Sequence, residues 1–270
     1  MPQNSRSFLE KNRLAWNQYT EFHIKSDFYN QNSFLEGRSS LHSTELGELG
    51  SVKDKTVLHL QCHFGQDTLS LERLGAKCTG IDFSEESIKE AKILTEELRL
   101  NSRFICSDLY DIGNNLNEAF DVVFTSYGVL FWLPDLSKWA EIIYSCLNKG
   151  GRFYIMEFHP FLETMDEDFS FFKYPYFGNS ENKPLEIVEK GTYAEQNAAI
   201  DSITYGWNHP IGEVITALCD AGLEPQFLHE FPYSHYNILP DMIEFSPEKF
   251  YHKEIRDGIP YMFSIMALKT

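Results

Sequence analysis

From Thr56 onward, short apolar segments alternate with segments in which apolar residues recur every three or four positions. This alternation is typical of a parallel β-sheet that is covered by helices on both faces. Seven strands are predicted, in chain order TVLHL (56–60), KCTGID (77–82), RFICS (103–107), DVVFT (121–125), RFYIMEF (152–158), EPQFLHE (224–230) and YMFSIMALK (261–269). The pattern therefore predicts an α/β fold with a doubly wound sheet.

Helices are predicted between these strands. Ser84 is placed to cap a helix that extends to about Leu98, and two glutamates in its first turn complement the helix dipole. A further helix begins at Pro134-Asp135, and residues 210–223 repeat the same periodicity.

Two segments lie outside the alternation. Residues 1–50 are rich in aromatic side chains and predict one or two helices, an N-terminal helical cap that precedes a domain of residues 51–270. Residues 160–208 are also aromatic but contain prolines and glycines, which favours short strands and turns inserted after the fifth strand. A loop of this length inside a compact domain usually has a function.

Composition narrows the class of partner. The 270 residues are 43% hydrophobic, which is enough for one large domain, and the net charge of -17 repels phosphate backbones and anionic lipid surfaces. We therefore expect neither nucleic acid nor a membrane as partner. No stretch approaches about 18 apolar residues, and the first residues lack the apolar core of a secretory signal, so a soluble, cytoplasmic protein is predicted.

The cysteines and histidines do not form a recognisable site. Five cysteines contain no C-x-x-C pair and are predicted to be free thiols, mostly buried. Nine histidines are scattered without metal-ligand spacing. No metal is predicted.

The turn after the first strand is the usual place for a nucleotide-type cofactor. A dinucleotide-binding loop has glycines in the pattern G-x-G-x-x-G, but here Gln61 and His63 occupy glycine positions and only Gly65 remains. This argues against NAD or FAD. A cofactor that carries methionine has no pyrophosphate, tolerates side chains in this loop and can bind Gln61 through its amino or carboxylate group.

Two acids follow at the ends of the next strands. Asp82 is placed to accept hydrogen bonds from both hydroxyls of a ribose, and the alternative is that it caps the helix at Ser84. Asp108 ends the third strand, where a carboxylate can accept from an adenine amine. Phe83 and Leu109 are then placed to sandwich the adenine ring.

These residues belong to segments that resemble class I S-adenosylmethionine-dependent methyltransferases. The segments are VLHLQCHFGQDTLSLERLGAKCTGIDFS, SDLYD, FDVVFTSYGVLFWLPDL and LNKGGRFYIMEFHP, and they are similar to a bacterial branch whose first motif reads LHLQCHFG. The resemblance covers roughly residues 50–160, and residues 210–232 and 261–269 fit the final antiparallel hairpin of the family. It implies a Rossmann-like seven-stranded sheet with an antiparallel last strand.

The resemblance also implies a cofactor, S-adenosylmethionine, and the residues that bind it. His59 stands where the family has an acid, and we assign it a structural role. Trp16 and Tyr29 are predicted to close over the cofactor. The other predicted cofactor-binding residues are Gln61, Cys62, His63 and Gly65 on the methionine-binding loop, Asp82, Phe83, Asp108 and Leu109 at the ribose and adenine, and Ser126 and Tyr127 beneath the sulfonium.

Methyl transfer is an in-line displacement that depends on holding the nucleophile and the methyl group collinear. A base is needed only if the nucleophile arrives protonated. Glu157 and His209 are candidates, and His159 and Tyr127 are the predicted catalytic residues.

The predicted function is methyl transfer to a small molecule that the sequence does not identify. We expect residues 160–208 to form a lid that selects this acceptor separately from cofactor binding. The alternatives are a protein that binds the cofactor without transferring methyl and a nicotinamide-dependent oxidoreductase. The oligomeric state is left open.

Overall fold

The structure, a computed structural model, describes residues 5–166, 169–178 and 183–270. Its helices are α1 (Ser5–His23), α2 (Gln31–Leu35), α3 (Ser43–Leu49), α4 (Gln66–Arg73), α5 (Glu85–Glu97), α6 (Leu136–Cys146) and α7 (Ile211–Asp220). Its strands are β1 (Thr56–Leu60), β2 (Lys77–Asp82), β3 (Arg103–Cys106), β4 (Phe120–Ser126), β5 (Leu147–Phe158), β6 (Leu185–Lys190), β7 (Asp201–Gly206), β8 (Glu224–Phe231), β9 (Met242–Ser246), β10 (Lys249–His252) and β11 (Met262–Leu268). None of the helices in these ranges is long and apolar enough to cross a bilayer.

Seven strands form one sheet in the order β3-β2-β1-β4-β5-β11-β8. The first five in this order pair in parallel, and β11 runs antiparallel to both of its neighbours. The predicted Rossmann-like sheet with an antiparallel last strand is therefore confirmed.

The sheet separates two apolar cores because side chains alternate along each strand. On β5, Phe153 and Ile155 pack into the core beneath α6 and α7, whereas Tyr154 and Met156 pack on the opposite face. Trp139 of α6 is fully buried and meets Phe153 edge-to-face at 5.4 Å between ring centroids.

The fifth strand begins earlier than predicted. Leu147 already pairs with Phe120, and the register between β4 and β5 then shifts before Arg152 pairs with Val122. The residues between Leu147 and Arg152, which the sequence suggested as a break, are accommodated in the strand because Gly150 has φ 77° and its N–H donates to the Lys269 carbonyl at 2.7 Å.

Two hairpins lie outside the main sheet. Strands β6 and β7 pair antiparallel within the insertion after β5, as the turn-rich composition predicted. Strands β9 and β10 form a second antiparallel hairpin between β8 and β11, which the sequence did not predict.

The N-terminal helix is docked on the first hairpin through a side chain. Asn12 is fully buried, its Nδ2 donates to the Tyr205 carbonyl at 2.7 Å, and its Oδ1 accepts from the Tyr205 N–H at 2.8 Å. The Asn12 side chain thus makes the backbone hydrogen bonds to β7 that a neighbouring strand would otherwise make. Helix α1 also contacts α5, where Thr20 Oγ1 and Ser87 Oγ are 2.7 Å apart.

Asn12→Ala should destabilise the chain because it leaves the N–H and carbonyl of Tyr205 buried without partners. We expect the free energy of unfolding to fall by roughly 2–4 kcal/mol, the cost of about two unmade hydrogen bonds. Urea unfolding measures the loss, and Gln18→Ala, on the exposed face of the same helix, is the control. Equal midpoints for the two variants would contradict this account of the docking.

Candidate active site

The carboxyl ends of the parallel strands open into a cavity of about 580 Å³. This is the edge at which ligands of open α/β sheets bind. All of the predicted cofactor-binding residues line the cavity: Trp16, Tyr29, Gln61, Cys62, His63, Gly65, Asp82, Phe83, Asp108, Leu109, Ser126 and Tyr127. The structure therefore brings this whole set together.

The loop after β1 has an unusual backbone. Gln61 and His63 have φ of 55° and 50°, in the left-handed region that residues with side chains rarely adopt, and Gly65 has φ 83°. A Cβ at Gly65 would lie 2.6 Å from the Phe104 ring, which explains why this glycine is retained. Strained backbone of this kind clusters at ligand sites.

His63 is held on three sides. Its backbone N–H donates to Asp82 Oδ2 at 2.9 Å, its Nδ1 lies 2.9 Å from Ser87 Oγ, and its Nε2 lies 3.0 Å from His23 Nδ1. Burial, reinforced by His23, holds the pKa of His63 well below its usual range. The ring is therefore neutral and ties the loop to α5 and α1.

Asp82 contacts the start of α5 and also lines the cavity. Its Oδ1 accepts from the Ser84 N–H at 2.9 Å, so it organises the start of α5, while the Ser84 side chain caps that helix. The same carboxylate lines the cavity, where each oxygen retains a further lone pair. Burial raises the pKa of Asp82 to about 6, against the lowering effect of the N–H groups of Ser84 and His63.

Asp108 lies one strand further along. It caps a short 3₁₀ helix by accepting from the Tyr110 N–H at 2.8 Å, and burial raises its pKa. Phe83 and Leu109 flank this part of the cavity.

Several buried polar atoms around the cavity lack a hydrogen-bond partner among the described residues. They are Gln61 Oε1, Gln66 Nε2, Trp16 Nε1, Arg38 Nε and His42 Nε2. Each unmade bond costs about 1–3 kcal/mol, so a ligand that supplies donors and acceptors here binds favourably. Gln61 Nε2 is occupied by the Val129 carbonyl at 3.1 Å, so its Oε1 is the atom left to accept.

Tyr127 also faces the cavity, at the end of β4. Its φ of 26° is positive, and its N–H donates to the Met156 carbonyl at 2.9 Å. Burial, with Glu45 and Tyr236 as further causes, holds the pKa of Tyr127 well above its usual range. The phenol is protonated and can donate a hydrogen bond, and Tyr127 stays a predicted catalytic residue.

The other predicted catalytic residue, His159, does not line the cavity. Its Nε2 lies 2.9 Å from Glu230 Oε1, and its Nδ1 accepts from the Phe161 N–H at 3.1 Å. Because both ring nitrogens are engaged at the β5–β8 side of the sheet, the geometry assigns His159 to packing instead of catalysis. His209 also does not line this cavity, and its Nε2 lies 2.7 Å from the Leu133 carbonyl oxygen.

Glu157 organises the loop after β4. Its Oε1 accepts from the N–H groups of Gly128 and Phe158, and its Oε2 accepts from those of Val129 at 2.7 Å and Leu130 at 3.0 Å. It is a positioning residue for this loop, which forms one wall of the cavity.

His59 has the structural role assigned to it. Its Nδ1 lies 2.8 Å from Thr68 Oγ1, and its Nε2 lies 3.3 Å from Ser126 Oγ. Ser126 in turn donates to Asp67 Oδ2 at 2.8 Å. The histidine therefore links β1, β4 and α4 beneath the loop.

The insertion contacts the N-terminal residues that pack on the loop after β1. Tyr193 of the insertion meets His23 at 4.7 Å between ring centroids, and its hydroxyl contacts that of Tyr29. The rings of His23 and Tyr29 both pack toward His63. The Trp16 ring also meets His63, at 5.2 Å between ring centroids. Residues 5–35 and 185–206 thus form one surface over the cavity, which we call the cover.

Sequence reasoning missed Arg38, the one lysine or arginine among the described residues that line the cavity. It also missed His42, His235, Tyr236 and Glu248. These residues lie in segments without strong periodicity, so no local pattern marks them. No group of three or more potential metal ligands occurs within the described ranges.

Comparison with known proteins agrees with this geometry. Residues 58–155 match the family model described as a methyltransferase domain. A ubiquinone biosynthesis O-methyltransferase of Coxiella burnetii is 27% identical over 143 residues, which are 53% of this chain and 56% of the relative. The chain thus spans about half the length of the curated relatives it matches.

Solved structures extend the similarity to nearly the whole chain. An S-adenosylmethionine-dependent methyltransferase from Clostridium acetobutylicum superposes with a TM-score of 0.58 at 14% identity, covering 95% of this chain and 100% of its own. An S-adenosylmethionine-dependent methyltransferase from Mesorhizobium loti superposes with a TM-score of 0.56 at 17% identity, covering 86% of this chain and 99% of its own. The chain has the fold of the S-adenosylmethionine-dependent methyltransferases. Within this methyltransferase fold, the matched residues 58–155 contain every cavity-lining position of β1, β2 and β4.

Glu157→Gln should loosen the loop after β4, because the amide NH₂ would face backbone N–H donors. We expect roughly 2–4 kcal/mol less stability, from about two lost hydrogen bonds to a charged group. Hydrogen exchange of the amides at 128–130 should quicken at least tenfold. The control is Glu163→Gln, since burial raises the pKa of Glu163 to about 7 and glutamine resembles its neutral form. Unchanged exchange in the Glu157 variant would refute the positioning role.

Proposed function

We propose that the chain is an S-adenosylmethionine-dependent methyltransferase that acts on a small molecule. The observation that carries the proposal is the pairing, in one cavity, of the Asp82 carboxylate with the unpartnered Gln61 Oε1. These groups suit the ribose diol and the methionine ammonium, the two polar ends that this cofactor presents. The glycine positions held by Gln61 and His63 disfavour a dinucleotide.

The nucleoside end is held by residues that follow β2 and β3. Asp82 accepts from the ribose hydroxyls, since each carboxylate oxygen has a lone pair beyond its backbone bond. Asp108 accepts from the adenine amine, and Phe83 and Leu109 contact the two faces of the ring. This assignment uses four residues that line adjacent parts of the cavity.

The methionine end is held by Gln61 and Arg38. Gln61 Oε1 accepts from the ammonium group because its amide nitrogen is already bound to Val129. Arg38 is fixed near the loop, with Nη2 donating to the Tyr29 carbonyl at 2.8 Å, and its unpartnered Nε is available to the carboxylate. Arg38 is a single arginine among acidic lining residues. The carboxylate of the methionine therefore has one position in the cavity where a positive charge favours its binding.

The bound cofactor supplies a methyl group activated by a sulfonium. The protein contributes position and the exclusion of water, which can account for much of the acceleration of an in-line transfer. Trp16 meets Trp132 at 5.4 Å between ring centroids, so the cover and the loop after β4 close on each other above His63. The remaining cavity, near Tyr127, is the space for the acceptor.

The nucleoside and methionine ends can be tested separately with two ligands. S-adenosylhomocysteine has both ends, whereas 5′-methylthioadenosine lacks the amino acid. Arg38→Met should weaken S-adenosylhomocysteine binding by about 10- to 100-fold, as for hydrogen bonds to a charged group, and leave 5′-methylthioadenosine unchanged. Asp82→Asn should weaken the binding of both ligands. Arg6→Met, which changes an exposed arginine, should weaken the binding of neither. Calorimetry showing no S-adenosylhomocysteine binding by the unaltered chain would refute the proposed function.

Binding should depend on pH through Asp82, whose folded-state pKa of about 6 lies above its ordinary 3.8. The unliganded protein therefore loses stability as pH rises from about 4 to 6, because the folded state binds the proton more tightly. Affinity for S-adenosylhomocysteine should change oppositely, rising through about pH 6 as the carboxylate ionises. Titration calorimetry between pH 5 and 8 measures this, and Asp82→Asn should flatten the profile. An equal pH dependence of affinity in Asp82→Asn would show that another group causes it.

A further inference from the structure

The acceptor side of the cavity contains a polar cluster that no part of the cofactor assignment uses. His42, which precedes α3, and His235, which follows β8, stack with ring centroids 4.3 Å apart and an interplanar angle of 3°. Glu248 lies between β9 and β10, and all three residues line the cavity. Three distant segments therefore meet at this wall.

Glu248 holds both histidines. Its Oε2 lies 3.1 Å from His42 Nδ1, and its backbone carbonyl oxygen lies 2.8 Å from His235 Nδ1. It adopts φ 57° in the turn after Pro247, where glycine or asparagine is the usual residue. A strained glutamate at this turn points to a function for its side chain.

The contact with Glu248 favours one tautomer of His42. A carboxylate only accepts hydrogen bonds, so the favoured tautomer has its proton on Nδ1. Nε2 then carries the lone pair. The residue is 7% exposed, and its Nε2 has no hydrogen-bond partner in the part of the chain that the structure describes. A histidine that lines a cavity, contacts a carboxylate through one ring nitrogen and has a buried second nitrogen without a partner fits the arrangement of a general base.

The groups packed around His42 do not compete for this role. Burial, then His42, lowers the pKa of His235 to about 4, and its Nε2 is occupied by Thr44 Oγ1 at 3.0 Å. Burial holds the pKa of Tyr127, Tyr236 and Glu45 well above their usual ranges, and Glu45 Oε2 is engaged by the His42 N–H at 2.6 Å. Lys249 acts on the same stack by lowering the pKa of His235, whereas Glu248 acts to raise it.

The walls beside His42 are aromatic. Tyr236 meets Tyr127 edge-to-face at 5.0 Å and His42 at 5.2 Å between ring centroids, and it stacks on Phe28 at 5.3 Å. Phe158 closes the same side. Such a wall fits a planar ring. The lining carboxylates, with Arg38 as the sole lysine or arginine of the described lining residues, favour an uncharged acceptor over an anionic one.

We propose that His42, oriented by Glu248, is the general base for a phenolic acceptor, so that the chain forms aromatic methyl ethers. This rests on the proposed methyltransferase function. A phenol has an ordinary pKa of about 10 and reaches the site protonated, so it needs a base, unlike a carboxylate.

The step balances within the site. The phenol O–H bond breaks and its proton passes to His42 Nε2, while an oxygen lone pair forms the bond to the methyl carbon. The electrons of the broken carbon–sulfur bond remain on sulfur, which becomes a neutral thioether. The imidazolium is stabilised by the Glu248 carboxylate until its proton returns to solvent.

The test uses 4-nitrophenol, whose ionised form absorbs visible light, on the chain saturated with S-adenosylhomocysteine. We expect the bound phenol to ionise with an acid dissociation constant at least tenfold larger than in His42→Gln. Glu248→Gln, which keeps the imidazole, should show a smaller increase. The matched probe 4-nitroanisole has no ionisable proton and should bind the unaltered chain and both variants with equal affinity.

The outcomes separate the two proposals. Failure of S-adenosylhomocysteine to bind would overturn the proposed function. If that ligand binds but 4-nitrophenol does not, or if it ionises equally in the unaltered chain and His42→Gln, the inference about His42 is overturned while the methyltransferase proposal stands. Should His42→Gln lose S-adenosylhomocysteine affinity through misfolding, Glu248→Gln decides: ionisation as strong as in the unaltered chain contradicts the dyad.

Discussion

The Asp82 carboxylate accepts hydrogen bonds from the backbone N–H groups of His63 and Ser84, and the geometry of the cavity depends on this one group. The first bond fixes the loop after β1, and the second fixes the start of α5. Both elements then present their polar groups to the same space. Because the carboxylate is buried, its charge is costly unless donors surround it, and in the proposed function a ribose diol would supply further donors.

The same loop shows how a side chain can replace a glycine at a nucleotide-binding turn. A glycine at position 63 would adopt φ 50° without strain, whereas histidine costs roughly 1 kcal/mol there. The imidazole offsets this by bonding Ser87 and His23, which attaches α5 and α1 to the loop. The loop after β1 is therefore less flexible than it would be with glycine at position 63, and it is firmly connected to the N-terminal helix.

The sequence predicted the fold well where apolar residues recur with the period of a strand or a helix. The parallel strands and the helices between them follow from alternation, and the motifs of the family resemblance predicted a set of positions that line one cavity. The β9–β10 hairpin has no clean alternation, because its strands are four or five residues long and partly exposed on both faces, so it was missed. His42 and His235 stack although 193 positions separate them, and only tertiary packing brings them together. His159 was misassigned because its place at a strand end resembles a site, but its ring is directed toward Glu230 of β8.

The cover has a consequence for the order of events. Tyr29 and Tyr193 join hydroxyl to hydroxyl above His63, and Asn12 fastens α1 to β7, so the N-terminal helix and the insertion are one body. In the proposed function, this one body would cover both the cofactor and the acceptor. Exchange of the spent nucleoside would then require the same motion as escape of the product. In many enzymes the opening of such a cover, and not the chemical step, limits turnover.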